Sequence, residues 1–138
     1  MEKSQIRKLI IQAMACNGKS YAPYSHFNVS AAVLSATGGV YEGVNVENAS
    51  YPCGICAERN AIFQAVAKGE TKLLAIALVG GRDHVFTEYC SPCGLCRQVM
   101  REFADPRRFL VIMAKSVDDY KIATLEELLP ASFGPESL

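Results

Sequence analysis

Three cysteines in two short segments have the residue type and spacing to hold a metal ion. Cys56 opens the first segment, and Cys93 and Cys96 form a Cys-x-x-Cys pair in the second. Cysteine binds zinc as a thiolate, and the amides and partial positive charge at a helix N-terminus lower the cost of that charge. Both segments fall at predicted helix starts. A catalytic zinc takes three protein ligands and leaves its fourth position to water. The pattern therefore suits a zinc centre that activates water.

A fourth cysteine leaves a second interpretation open. Cys53 and Cys56 form a Cys-x-x-Cys pair of their own. Together with Cys93 and Cys96 they could close a four-thiolate structural zinc site, which has no open position for water. Spacing alone does not choose between the two kinds of site. The location of Cys53 decides between them.

Glu58 is the candidate acid–base group beside these cysteines. At helical spacing it shares a face with Ala61 and Ile62, so burial would favour its protonated form and suit it to exchange protons near neutral pH. An acidic residue in a first helical turn can also simply complement the helix dipole. Next to cysteine ligands, the acid–base interpretation is favoured.

Arg59 has two interpretations that spacing does not separate. Three thiolates on Zn²⁺ leave net negative charge, which would weaken the ion as an electrophile. A guanidinium that reaches the ligand sulfurs would offset this charge. The alternative is an exposed arginine with no such contact.

Hydrophobic periodicity predicts the elements that must position these residues. Helices are expected over Ser4 to about Asn17, Cys56 to about Lys68, the residues after Pro92 to about Phe103, and after a capping box at Thr124–Glu127. Strands are expected over Phe27–Ser35, Val40–Asn45, Leu73–Val79 and Phe109–Ala114. The order is a helix, a hairpin, and then helices and strands in alternation. We therefore expect one domain over residues 1–138, with an α/β fold of three layers (α/β/α) around a central mixed sheet of about five strands.

Composition and charge favour some classes of partner over others. Fourteen basic residues face fourteen acidic ones, whereas a protein that neutralises many phosphates normally carries a basic excess. Nucleic acid is therefore not expected as a partner, and the Arg107-Arg108 pair is interpreted as solvated loop charge. The N-terminus has no secretory signal pattern, and no apolar run has the length of a bilayer span. We expect a cytoplasmic protein without a membrane partner, whose cysteines are reduced.

The same residues resemble a known family. Cys56–Arg59 followed by Ser91–Val99 is similar to the signature of the small homotetrameric cytidine deaminases of the three-cysteine zinc type. The likeness extends in order to Tyr21–Phe27, Asn45–Tyr51 and Glu126–Phe133. It implies a cytidine deaminase-like fold. It also implies hydrolytic deamination of free cytidine and deoxycytidine to uridine and deoxyuridine plus ammonia, as in pyrimidine nucleoside salvage.

The resemblance implies roles for the residues around the metal. One Zn²⁺ per subunit would be bound by three cysteines, Cys56, Cys93 and Cys96. Glu58 would be the proton shuttle, and Arg59 would donate hydrogen bonds to the ligand sulfurs. The family pattern requires no cysteine at position 53, and neither His26 nor His84 matches a ligand.

It also implies a substrate site. Asn45 and Glu47 would bind the ribose hydroxyls, and Phe27 would pack on the base. The backbone of Ala57, together with Glu58, would read the pyrimidine edge.

Two aromatic residues match family positions that complete the site of a neighbouring subunit. These are Tyr51 and Phe133, and they imply a homotetramer with shared active sites. Phe133 also lies after the last predicted helix, near a polar C-terminus, where it has little local core to join. Packing within their own chain is the alternative for both rings.

Two rival functions remain open from the sequence. One is another deaminase of the same superfamily, acting on a nucleotide, an antibiotic nucleoside or a base in RNA. Glu47 argues against a nucleotide, because a carboxylate at the ribose would repel a phosphate. The other is a zinc-stabilised binding module without activity, which would have four thiolate ligands.

Overall fold

The computed structural model describes residues 1–138 and contains five strands and four α-helices. The strands are β1 (Phe27–Ser35), β2 (Val40–Val44), β3 (Leu73–Arg82), β4 (Leu110–Ser116) and β5 (Asp119–Thr124). The helices are α1 (Lys3–Ala15), α2 (Ala57–Ala67), α3 (Gly94–Phe103) and α4 (Leu125–Leu128). None of these helices combines the length and the apolar composition needed to cross a bilayer.

All five strands form one mixed sheet in the order β2-β1-β3-β4-β5. Only β3 and β4 pair in parallel, and every other neighbouring pair is antiparallel. A parallel pair needs a crossover connection, and α3 lies in the chain between these two strands. The predicted α/β fold with a central mixed sheet of about five strands is confirmed.

Side chains that alternate along the buried strands contribute to two hydrophobic layers, one on each face of the sheet. On one face, Ala75, Ala77 and Val79 of β3 pack with the apolar stripe of α1. On the other face, Ile76 and Leu78 pack with α2 and α3. Successive side chains of a strand point to opposite faces, so a nearly continuous apolar run is what a sheet covered on both sides requires. The helices therefore form the two outer layers of the predicted α/β/α arrangement.

Most element boundaries agree with the sequence predictions to within a few residues, and two features differ. Strand β3 continues past Val79 to Arg82, where it still pairs with the start of β1. Strand β5 was not located from the sequence. It is an edge strand whose residues are exposed or half-buried, so it lacks the apolar signal that identified β3 and β4.

Close packing of α2 on β2 depends on Gly43. A Cβ atom built at Gly43 would lie 2.2 Å from the backbone nitrogen of Ala61 and 2.5 Å from the carbonyl oxygen of Ala57. Real Cβ atoms do not approach backbone atoms this closely, so only glycine permits the contact. The first turns of α2 are thereby held directly against the sheet.

Candidate active site

The three predicted metal ligands lie together at the N-termini of α2 and α3. Cys56 and Cys93 occupy the N-cap positions of these helices, and Cys96 follows in the first turn of α3. The Sγ atoms of Cys56 and Cys93 are 3.9 Å apart, and those of Cys93 and Cys96 are 3.4 Å apart. All three lie within 4.8 Å of one another. Tetrahedral zinc with Zn–S bonds of about 2.3 Å needs sulfurs about 3.8 Å apart. The cluster therefore fits zinc.

The electrostatics of the cluster favour thiolate at Cys56. The adjacent Cys96 thiol and then the Arg59 guanidinium lower the pKa of Cys56 to about 5. Arg59 donates from Nη2 to the Sγ of Cys56 at 3.5 Å, and its Nε is buried without a hydrogen-bond partner. The pKa of Cys96 is raised, because it hydrogen-bonds to Cys56 and is buried. Of the two interpretations of Arg59, the structure supports the one in which it offsets thiolate charge.

Glu58 lies in the first turn of α2 and is only 4 % exposed. Burial, which disfavours the charged form, raises its pKa to about 7. A carboxyl group placed only to complement the helix dipole would gain most from being ionised. The environment of Glu58 instead suits a group that takes up and releases protons near neutral pH.

A cavity of about 580 Å³ opens beside the cysteines and Glu58. This volume lies within the usual range for small-molecule sites, about 300–1,000 Å³. Glu58 lines this cavity. So do all the residues predicted to contact the substrate except Phe133, namely Phe27, Asn45, Glu47, Tyr51 and Ala57. The fold therefore brings a buried carboxyl group and a cluster of cysteines able to hold a metal ion to one cavity of small-molecule size.

The wall that carries Asn45 and Glu47 is built by backbone pairing. The segment after β2 lies between Tyr21 and Ile55. Tyr21 donates to the carbonyl oxygen of Asn45 at 2.9 Å, and Glu47 donates to that of Tyr21 at 2.8 Å. Val46 and Ile55 exchange two hydrogen bonds of 3.0 Å. Because Ile55 immediately precedes Cys56, this pairing connects the wall of the cavity to the cysteine cluster.

Comparison with known proteins places this geometry in a family. Residues 3–113 match the family described as "Cytidine and deoxycytidylate deaminase zinc-binding region". The chain belongs to the cytidine and deoxycytidylate deaminase family. A cytidine deaminase of Halalkalibacterium halodurans is 40 % identical over 94 % of this chain and 95 % of its own length. One of Sporosarcina psychrophila is 38 % identical over 96 % and 94 %.

A solved structure gives the same assignment. The crystal structure of cytidine deaminase from Burkholderia pseudomallei superposes with a TM-score of 0.82 at 42 % identity, over 91 % of this chain and 97 % of that chain. The resemblance identified from the sequence motifs is confirmed, as is the cytidine deaminase-like fold.

Zinc is the cofactor of this deaminase family, and the chain supplies a site for it. The matched region is the zinc-binding region of the family, and Cys56, Cys93 and Cys96 form the one group of metal-ligating side chains close enough to hold an ion. Cys53 lies outside this group and is exposed, in a short 3₁₀ turn over residues 51–53. The four-thiolate alternative therefore lacks its fourth sulfur.

The two aromatic residues assigned to subunit sharing are among the most exposed rings of the deaminase. Tyr51 is 80 % exposed at the mouth of the cavity, where its ring meets that of Tyr24 edge-on with centroids 6.5 Å apart. Phe133 is 58 % exposed and does not line the cavity of its own chain. Neither ring packs into the core of its own chain.

Helix α3 holds the segment that carries Phe133. Gln98 donates from Nε2 to the carbonyl oxygen of Phe133 at 2.9 Å. Arg101, which is buried, donates from Nε to the hydroxyl of Ser132 at 2.8 Å and forms an ion pair with Glu136. The backbone around Phe133 is thus fixed while its ring faces outward.

Several cavity residues were not predicted from the sequence. They are Tyr24, Ser25, Val29, Val46, Asn48, Gly54, Ile55, Cys90 and Ser91. Tyr24 and Ser25 lie in a segment that resembles the family, which was the available signal for them. Cys90 precedes Cys93 by three residues, and burial raises its pKa to about 12, so it stays a neutral thiol.

Proposed function

We propose that the protein hydrolyses the 4-amino group of free cytidine and deoxycytidine, giving uridine or deoxyuridine and ammonia, in pyrimidine nucleoside salvage. The observation that carries this proposal is the buried carboxyl group of Glu58, two residues from Cys56 and facing a cavity large enough for a nucleoside. Family membership and the names of the relatives support the same reaction.

Three cysteine side chains would hold the metal, and an arginine lies beside them. Zinc bound by Cys56, Cys93 and Cys96 would act as a Lewis acid and lower the pKa of a water molecule from about 16 to about 7. Arg59, which donates to the Sγ of Cys56, offsets the negative charge that the thiolates bring to this site.

Glu58 moves the protons. Its carboxylate accepts a proton from the attacking water and donates it to N3 of the pyrimidine, which makes C4 electrophilic. The water oxygen then forms a bond to C4, and that carbon becomes tetrahedral. Glu58 takes the second water proton and donates it to the 4-amino group, the C4–N bond breaks, and ammonia leaves. A pKa of about 7 lets one carboxyl group serve in both directions.

The cavity walls bind and orient the nucleoside. We assign the ribose hydroxyls to Asn45 and Glu47, the face of the base to Phe27, and the pyrimidine edge to Glu58 and the backbone of Ala57. All five residues line the cavity. The carboxylate of Glu47 would repel a substrate phosphate, which favours a nucleoside over a nucleotide.

We also infer a cytoplasmic homotetramer with shared sites, built from chains whose residues 1–138 form one catalytic domain. The support is the exposure of Tyr51 and Phe133 and the hydrogen bonds that fix the backbone at Phe133. In such an assembly these rings would close the cavity of a neighbour and exclude water from the bound base. Neither a nucleic acid nor a membrane is proposed as a partner.

The test combines zinc content with ammonia release from cytidine, deoxycytidine and deoxycytidylate. We expect about one zinc per chain and rapid release from both nucleosides, with deoxycytidylate much slower. Bound zinc without ammonia release from any of them would favour the binding module. Faster release from deoxycytidylate would contradict the assignment of a nucleoside substrate.

A further inference from the structure

The hydroxyl of Ser25 lies between two residues of the cavity wall. Its Oγ donates a hydrogen bond to Oε2 of Glu47, and the same oxygen accepts one from the backbone N–H of Phe27 at 3.0 Å. Ser25, Glu47 and Phe27 all line the cavity. One small side chain thus connects the residue assigned to the sugar with the residue assigned to the base.

The carboxylate of Glu47 is held mainly by the turn that contains Ser25. Its Oε1 accepts hydrogen bonds from the backbone N–H groups of Tyr24 at 3.0 Å and Ser25 at 3.1 Å. A carboxylate has about four acceptor positions. The Ser25 hydroxyl and these two amides occupy three of them, which leaves about one for a substrate hydroxyl. The Ser25 hydrogen bond is the main reason that the pKa of Glu47 is lowered, so the group stays ionised.

The backbone of Phe27 is held from both sides. Ser25 accepts its N–H, and Asn45 donates from Nδ2 to its carbonyl oxygen at 2.8 Å. The preceding residue, His26, has a φ of 58°, in the left-handed region that non-glycine residues rarely adopt. These contacts set the direction in which the Phe27 ring enters the cavity.

We propose that Ser25 is a positioning residue that sets the spacing between the sugar-binding carboxylate of Glu47 and the base-packing ring of Phe27. The proposal rests on the function proposed above. In a nucleoside the glycosidic bond fixes the distance between the base and the sugar hydroxyls. A wall in which Glu47 and Phe27 share one hydroxyl is preorganised for that distance, so binding does not have to order the two groups separately. The site therefore selects pyrimidines that carry a sugar with free hydroxyls.

The experiment compares Ser25→Ala, Ser25→Thr and the parent on cytidine and on 2′,3′-dideoxycytidine, which lacks both ring hydroxyls of the sugar. For Ser25→Ala we expect the KM for cytidine to rise about tenfold, or about 1.4 kcal/mol. The kcat should stay within about twofold. The interaction that is lost binds the substrate and the transition state equally, so its loss changes KM and leaves kcat unchanged. The preference in kcat/KM for cytidine over the dideoxy substrate should fall at least about threefold, since Glu47 acts only on the hydroxyls.

The conservative and control variants separate positioning from folding. Ser25→Thr keeps the hydroxyl and adds a methyl group at an exposed position, so we expect parental KM values. Ser50→Ala removes a hydroxyl that makes no side-chain hydrogen bond at the start of the neighbouring 3₁₀ turn, and it should not change the substrate preference. Thermal unfolding and zinc content are measured for every variant.

Binding of uridine, the expected product, gives a readout that does not depend on turnover. Its Kd, measured by calorimetry, should rise about tenfold in Ser25→Ala, again about 1.4 kcal/mol. A parental KM and Kd in this variant would overturn the proposal. So would an equal loss on both substrates, which indicates a general loop defect. A parent protein that binds uridine but releases no ammonia would overturn the proposed function. The uridine Kd of Ser25→Ala, compared with that of the parent, would then still test the positioning role of Ser25.

Discussion

The guanidinium of Arg59 lies 3.5 Å from the sulfur of Cys56, three residues earlier on the chain. Cys56 is the N-cap of α2 and Arg59 lies in its first turn, so the helix itself brings the two side chains together. A second guanidinium nitrogen, Nε, is buried without a hydrogen-bond partner. A half-buried cation thus faces a cluster of three cysteines, and the helix that begins at one of these cysteines also carries the cation.

Replacing this cation tests its role. We expect Arg59→Gln to lower kcat for cytidine by about 10- to 100-fold, the usual cost of losing a residue that supports metal ligands. The reason is that uncompensated thiolate charge weakens the metal as an electrophile. Kinetics are measured with zinc in excess, and Arg108→Gln, at an exposed loop arginine, is the control. Parental kcat in Arg59→Gln would exclude charge compensation as a catalytic contribution.

Glu58→Gln should keep the fold and the zinc but lose turnover. The amide is close in size and can still hydrogen-bond to the pyrimidine, but it cannot carry protons. A positioned acid–base group contributes about 100- to 10,000-fold, and here one group acts in both half-reactions. Ammonia release, zinc content and thermal unfolding are measured together. A kcat within a few-fold of the parent would remove Glu58 from the mechanism.

The cysteine variants distinguish a three-thiolate site from a four-thiolate site. Cys53→Ser should keep about one zinc per chain and parental activity, because Cys53 is exposed and outside the cluster. Cys93→Ser removes a sulfur of the cluster and should lose zinc and activity together. Zinc content is measured by metal analysis after dialysis. Loss of zinc from Cys53→Ser, with four sulfurs around the metal by X-ray absorption, would contradict the three-cysteine assignment.

Shared sites predict complementation between two defective chains. Glu58→Gln and Phe133→Ala should each be nearly inactive alone. After dissociation and reassembly of a mixture, some cavities would combine an intact Glu58 from one chain with an intact Phe133 from another. We therefore expect activity to return in part, measured as ammonia release per chain. Each variant reassembled by itself is the control. A fully active monomer in sedimentation would contradict the shared-site proposal.

Gly43→Ala should destabilise the protein. The added methyl group would lie 2.2 Å from the backbone of Ala61, and a helix backbone cannot move aside as a flexible side chain can. Overpacking of this kind costs about 1–3 kcal/mol in free energy of unfolding. Gly18→Ala is the matched control, because a Cβ atom there meets nothing within 4 Å. Equal midpoints of unfolding in the two variants would show that α2 does not depend on this contact.

How much the sequence could predict depended on how strongly each feature is encoded locally. The bounds of β1 were predicted to the residue, and the capping box that opens α4 is present as expected, with Thr124 accepting a hydrogen bond from Glu127. The burial of Glu58 followed from helical spacing. These features depend on neighbours within a few residues, which a sequence displays directly.

Other features depend on distant parts of the chain and left little local signal. Strand β5 is recognisable only through its pairing with β4. The contact of Gly43 with Ala61 joins a strand to a helix, and the hydrogen bond between Ser25 and Glu47 spans two separate loops. The spacing of Cys53 was equally suitable for a ligand, so its exclusion from the metal cluster was expected only from the family resemblance, and the fold places it outside the cluster.

The close packing of α2 on Gly43 means that different parts of the cavity lining should tolerate substitution to different extents. Cys56 and Glu58 lie at the start of a helix whose backbone packs directly on the backbone of Gly43. No side chain lies between the helix and the sheet at this point, so none can be made larger or smaller. Another part of the lining is made by loop side chains such as Tyr24 and Tyr51, which are half or more exposed. A laboratory selection for bulkier nucleoside analogues should therefore accumulate its substitutions on the loop wall, while the helix wall keeps its sequence.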